Sequence, residues 1–279
     1  MELLYIIEKF TQFANNAIII DMQALTYLNG SVKNGNIMRW SINPLIVYIA
    51  PMKFYSKPGE DAKYRKMGID ALNAWSSASE GKITFKITNV LLESNINIDW
   101  KRVDRKALGH CYFSWDPQGR LYGAEVSIGL TDGRIHKQYD SDIEVYHTIL
   151  HEIGHALGLG HSPYTQDIMY TPHQYGNATL SANDKYSIKW LYKLPAGASV
   201  QKFAAKYSIS TSTDVDSVIK KIDSKNSNEK DASQRMVVQT NRDLLQEATN
   251  IGDLKRYNLS LQNISLSQNV KNYFKNQRY

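Results

Sequence analysis

The sequence predicts an α+β domain followed by a mostly helical, basic tail. Three observations predict it. Short β-branched or alternating runs cluster between residues 45 and 130, at strand rather than helix length. Two helical stretches begin at serines placed three residues ahead of an acid, Ser141 with Glu144 and Ser181 with Asp184. Beyond Pro195-Ala196-Gly197 the composition shifts toward Ser, Thr, Asp, Asn and Lys. With 279 residues and 42% apolar content, the chain holds one sizeable domain plus an extension.

Residues 1–37 open with Leu3-Leu4-Tyr5-Ile6-Ile7 and end in polar stretches at Asn34-Gly35-Asn36, and read as a helix or two ahead of the domain. Trp40 and the run Leu45-Ile46-Val47-Tyr48-Ile49 begin ordered structure, the run being a buried strand. Pro58-Gly59-Glu60-Asp61 suits a helix start, and Tyr64, Met67, Leu72 and Trp75 form the core stripe of that helix. Ile83 to Ile87 and Ile96 to Trp100 alternate as half-buried strands do. Gly109 to Trp115 and Tyr122 to Leu130 make two more, joined by the turn Asp116-Pro117-Gln118-Gly119. The Ser141 helix runs through Ile149 and Leu150, a loop covers Ser162 to Asn177, and Ile188, Leu191 and Tyr192 continue the helix that Ser181 starts. In the tail, Val215, Val218, Ile219 and Ile222 mark one short helix, and Met236 to Tyr257 has helical spacing too. The chain divides into an extension, 1–37, a domain, 38–193, and a tail, 194–279.

Charge and cysteine exclude several classes. Of the net +6, five units lie from Leu194 onward, where 13 Lys and Arg face 8 Asp and Glu. That favours a solvated helical surface, or weak association of the tail with an acidic surface. No aromatic-rich nucleic-acid motif accompanies it, so nucleic acid is not expected as a partner. Cys111 is the one cysteine, which leaves no disulfide framework. No run of about 18 apolar residues marks a membrane span. The first residues do not form a signal-peptide pattern, because Glu2 and Glu8 stand where positive charge is expected.

The chemistry concentrates in His151-Glu152-Ile153-Gly154-His155-Ala156-Leu157-Gly158-Leu159-Gly160-His161. On a helix His151 and His155 share one face, one turn apart, where two imidazoles can bind one zinc ion beside Glu152 as general base. Gly158 can stop that helix in a left-handed turn, and the reversing chain can bring His161 in as third ligand. Three protein ligands leave a fourth position open, as in a catalytic site. The five-residue form also occurs on ordinary amphipathic helices; the extended form is far more specific. The alternative is a catalytically silent zinc-bearing binding module tethered by the basic tail. Glu152 argues against it, because a structural site needs no base.

His151 to His161 followed at once by Ser162, and then by Met169-Tyr170, resembles the matrixin branch of the metzincins. The stretch Leu180 to Tyr192 is similar to that family's last helix. The resemblance covers roughly residues 38–193. It implies a metzincin fold: a twisted, mostly parallel five-stranded sheet with one antiparallel edge strand, and three helices. It implies a zinc-dependent endopeptidase with one catalytic zinc on His151, His155 and His161, Glu152 as base, and a protein or peptide substrate. Met169 would form the Met-turn floor. Gly109, His110 and Cys111 would lie on an edge strand that pairs with extended substrate, a general recognition mode. Tyr170, Thr171 and Pro172 would wall the S1′ pocket, and His147 would lie near its bottom. The co-ligands of the family's structural zinc are missing, since Glu125-Val126-Ser127 stands where a histidine is expected. Calcium is possible but finds no support, because Asp116 and Asp132-Gly133 read as turn residues. No cysteine precedes the domain as a latch, which leaves Asp21 as the conceivable acid in that role. The resemblance further implies a secreted or cell-surface setting.

Overall fold

The computed structural model describes residues 24–53, 59–103, 107–131, 138, 140–209 and 214–228. Residues 1–23, with Asp21, lie outside the described residues, as do Asp132-Gly133 and the tail from 229 on. The helix or two expected before residue 38 fall mostly outside the described residues; residues 28–37 form a 3₁₀ turn, Leu28–Ser31, and a hairpin of β1 (Val32–Lys33) and β2 (Asn36–Ile37). The cause is the dipeptide Asn34-Gly35. Both residues take positive φ, 52° and 77°, which is the two-residue turn that Asn-Gly favours.

The main sheet uses β3 (Arg39–Trp40), β4 (Leu45–Ile49), β5 (Phe85–Thr88), β6 (Ile96–Arg102), β7 (Gly109–Trp115) and β8 (Arg120–Leu130). The expected five strands run β5-β4-β6-β8-β7, the first four parallel and β7 antiparallel at the edge. The two-residue β3 adds a sixth beside the start of β8. The alternation read in the sequence has a plain cause. Ile96, Ile98 and Trp100 face the helices and are buried, while Lys86, Asp99 and Glu125 stand exposed on the other face.

Helix α1 (Glu60–Ala78) connects β4 to β5, and α2 (Asp142–Ala156) follows β8. They pack on each other, and α2 also packs on β7 and β8. Two buried indoles tie α2 in place. Trp75 donates to the Leu150 carbonyl at 3.0 Å, and Trp40 to the Ala156 carbonyl at 2.8 Å. The second is one of the last-turn carbonyls that a helix cannot satisfy itself. Trp40→Ala should therefore cost about 3–5 kcal/mol, the usual loss for a buried tryptophan. A lower urea midpoint at unchanged slope would show it.

Helix α3 (Ala182–Lys193) starts from a complete capping box, Ser181 with Asp184. Beyond it come α4 (Val200–Lys206) and α5 (215–228). Hydrogen bonds cross the boundaries placed at 37 and 193. Ile37 and Gly197 exchange bonds with the 197–198 and 37 backbone, and the Leu28 and Asn29 amides donate to Asp216. The compact unit that holds these contacts extends to Lys220; of the second unit only residues 221–228 are described. No helix among the described residues is long and apolar enough to cross a membrane.

Candidate active site

Helix α2 carries His147, His151 and His155 at four-residue steps, so the three rings climb one face. The helix stops at Gly158, whose φ is +100°. The Gly158 amide donates to the His155 carbonyl, and the Leu159 amide to the Gly154 carbonyl at 3.0 Å, the paired bonds of a Schellman stop. A Cβ on Gly158 would stand 2.6 Å from the Met38 carbonyl oxygen, so packing as well as φ demands glycine. The stop has a chemical product. It brings the Leu159 carbonyl within 2.8 Å of His155 Nδ1 and returns the chain so that His161 meets the helix face.

The three imidazoles converge. His155 Nε2 lies 3.1 Å from His151 Nε2 and 3.2 Å from His161 Nε2. His151 Nδ1 donates to the Ile168 carbonyl at 2.7 Å, as His155 Nδ1 does to Leu159. These carbonyls fix the tautomers, so both Nε2 atoms present lone pairs to each other. Burial, then the His155 ring, push His151 down to about 3; burial pushes His155 to about 4 and lowers His161. Neutral imidazoles whose ligand atoms converge in this way could hold a metal cation. Tetrahedral zinc, at about 2.0–2.1 Å from each nitrogen, spaces its ligands roughly 3.3 Å apart, so the residues present fit it.

Glu152 follows the first of these histidines and turns to the sheet side. It is 7% exposed, and burial raises its carboxyl to about 8; a bound cation would act in the opposite direction. Edge strand β7 makes room for it. Gly109 and Cys111 alternate toward α2, and His110 points to the exposed face, stacked on Tyr112 at 6.1 Å. Burial, and next the Glu152 carboxylate, raise the Cys111 thiol, so it is a packed wall rather than a thiolate. All three residues border a cleft of about 600 Å³ with the three histidines, Tyr170, Pro172 and His147. Among the described residues, β7 pairs only with β8, which leaves its outer edge facing this cleft.

Met169 is fully buried below α2, and a Cβ on Gly154 would meet its sulfur at 2.3 Å. The sequence pattern sets both residues. Ser162 and the Met169 carbonyl bond at 2.9 Å and close the loop into a compact turn. A network beneath holds it. Ser162 and Ser181 hydroxyls donate to Asp167, and the Ile168 and Ser181 amides to Asp184. The Tyr27 hydroxyl donates to the same Asp184 at 2.6 Å. Thus Asp184 holds the backbone whose carbonyl orients His151.

Three residues escape a reading of the sequence. Tyr27 is 157 positions from its partner and carries no local signal. Glu144 reads as the second half of a capping box, yet only the serine half forms, with Ser141 Oγ accepting from the Glu144 amide. Its carboxylate goes instead to His173 and Gly176. His173 stands one place past Pro172, where the expected wall ends, and its ring lies 3.9 Å from that of His147. Asp116 reads as a turn residue and is one: it accepts from the Gln118 and Arg120 amides and pairs with the Arg120 guanidinium.

A family model described as Matrixin matches residues 40–193, more than half of the chain. A protein of Trichoplusia ni ascovirus 2c, named "Putative matrix metalloproteinase", is 42% identical over 55 residues. That stretch is 20% of this chain and 11% of the viral protein, so the chain matches only a small part of that relative's length.

Proposed function

Since the chain belongs to the matrixin family, we propose that it is a zinc-dependent endopeptidase acting on extended peptide segments. The observation that carries the proposal is the convergence of three neutral imidazoles beside a buried, non-ligating glutamate in one open cleft. His151, His155 and His161 would hold the metal. When bound, zinc supplies Lewis-acid polarisation of a carbonyl and lowers the pKa of a water from 15.7 to about 7.

The remaining work falls to the chain. The outer edge of β7 aligns an extended peptide by backbone pairing, across the cleft from α2. Glu152 accepts the proton of the attacking water and returns it to the leaving amide nitrogen. Its burial keeps bulk water from competing for that proton. Met169, packed under Gly154, keeps the ligand-bearing helix and the turn that orients His151 at fixed separation. Tyr170 and Pro172 wall the part of the cleft beyond the scissile bond, with His147 at its inner end. The reading includes a secreted or cell-surface setting, supported by family membership.

Metal removal tests the proposal. A chelator should abolish cleavage of a casein-derived peptide library, and stoichiometric zinc should restore it while magnesium does not. The unfolding midpoint should rise with zinc, since a ligand at 100 times its Kd adds about 2.7 kcal/mol. Cleavage that persists in metal-free protein would sink the reading.

A further inference from the structure

The loop from Thr171 to Asn177 borders the cleft and is held to α2 by two buried side chains. The Glu144 carboxylate takes one bond on each oxygen, from His173 Nε2 at 2.5 Å and from the Gly176 amide at 2.8 Å. His147 donates Nδ1–H to the Asn177 carbonyl at 2.5 Å. Glu144 is 6% exposed and His147 1%. The His147 and His173 rings touch, with centroids 3.9 Å apart, and both line the cleft; Glu144 stands behind them. A buried carboxylate is costly unless its oxygens are bonded, so both bonds are held tightly in the folded chain.

Resting on the peptidase reading above, we propose that Glu144 sets the P1′ preference of the cleft. It clamps segment 171–177 onto α2, and the two imidazoles thereby close the pocket to long side chains. Glu144 touches no substrate; it is a positioning residue acting through His173 and the Gly176 amide. The loop cannot recede to admit a larger group without uncovering the carboxylate. Each methylene that a pocket accepts or refuses is worth about 10–200-fold in discrimination, so a clamp on one wall is enough to set a preference. A helix-start glutamate would ordinarily turn back to its own cap. Here that bond is forgone, and the side chain spans 29 to 32 residues to reach the wall.

The test compares zinc-loaded wild type, Glu144→Ala and Glu144→Gln as full chains. Amide exchange is measured over residues 171–177, and kcat and KM on peptides that differ only at P1′, leucine against tryptophan. Glu144→Ala should exchange faster at Gly176, and its leucine-over-tryptophan ratio of kcat/KM should fall about tenfold, carried by KM rather than kcat. Glutamine keeps an acceptor for the Gly176 amide and should recover most of both. Unchanged exchange overturns the inference, and so does faster exchange at an unchanged ratio. Should the alanine variant not fold, Glu144→Asp, one methylene too short to reach both His173 and the Gly176 amide, takes its place with the same expected outcomes. A wild-type chain that binds zinc and cleaves neither peptide counts against the peptidase reading instead. P1′-varied peptide hydroxamates, which need only bind, then give the ratio.

Discussion

Glu152→Ala should lower kcat/KM on a peptide substrate by about 10²–10⁴-fold while zinc content stays at the wild-type level. Glu152 is not among the three converging histidines, so its loss leaves that group whole. Alanine is the best helix former, so α2 keeps its course and the histidines their positions. What disappears is the buried carboxylate that the proposed mechanism uses to carry a proton between water and leaving group. A binding module that merely contains zinc would not register the change, which makes this variant the sharpest divider between the two readings. Full activity with zinc bound would remove Glu152 from the mechanism.

The second large effect comes from adding a single methyl group. Gly109→Ala would place a Cβ 2.7 Å from Glu152 Cγ, 2.8 Å from its Oε1 and 2.9 Å from Thr148 Cγ2. The strand cannot yield easily, because β7 is bonded along its length to β8. Nor can the helix, which Trp40 and Trp75 anchor. The mobile party is the Glu152 side chain, and it must leave its place. A misplacement of about 1 Å can cost roughly 100-fold in rate, and a fall of that order in kcat is expected with zinc content unaltered. Steady-state kinetics beside metal analysis would check it, and an unchanged kcat would mean that the carboxylate works from more than one position. The residue reads in the sequence as part of a substrate-pairing strand; its larger role is in what it omits.

That contrast separates what a sequence carries from what it hides. The convergence of the three histidines was legible because a helix converts four-residue spacing into shared direction, and the Gly158 stop into a return. The strands were legible because, among the described residues, helices cover one sheet face, which leaves an alternation to see in Ile96 to Trp100. Glu144 was misleading for the opposite reason. Its local pattern names a cap, and the partners that outcompete the cap lie far along the chain, where no periodicity points to them. The hairpin at residues 32–37 went unread, although its Asn34-Gly35 turn is the signal for one. The close approach of Gly109 to Glu152 and of Gly154 to Met169 was not read from the sequence.

The bond from Tyr27 to Asp184 bears on how the protein could be cut down. The family match begins at residue 40, past that tyrosine, and ends before Asp216, which receives the Leu28 and Asn29 amides. A fragment trimmed to the match would strip one donor from the carboxylate that steadies the His151 turn. It would also delete both backbone partners of Ile37 along with Ile37 itself. The portion recognisable by kinship is thus narrower than the portion that must fold together. The compact unit that holds these contacts runs on past the match, to Lys220.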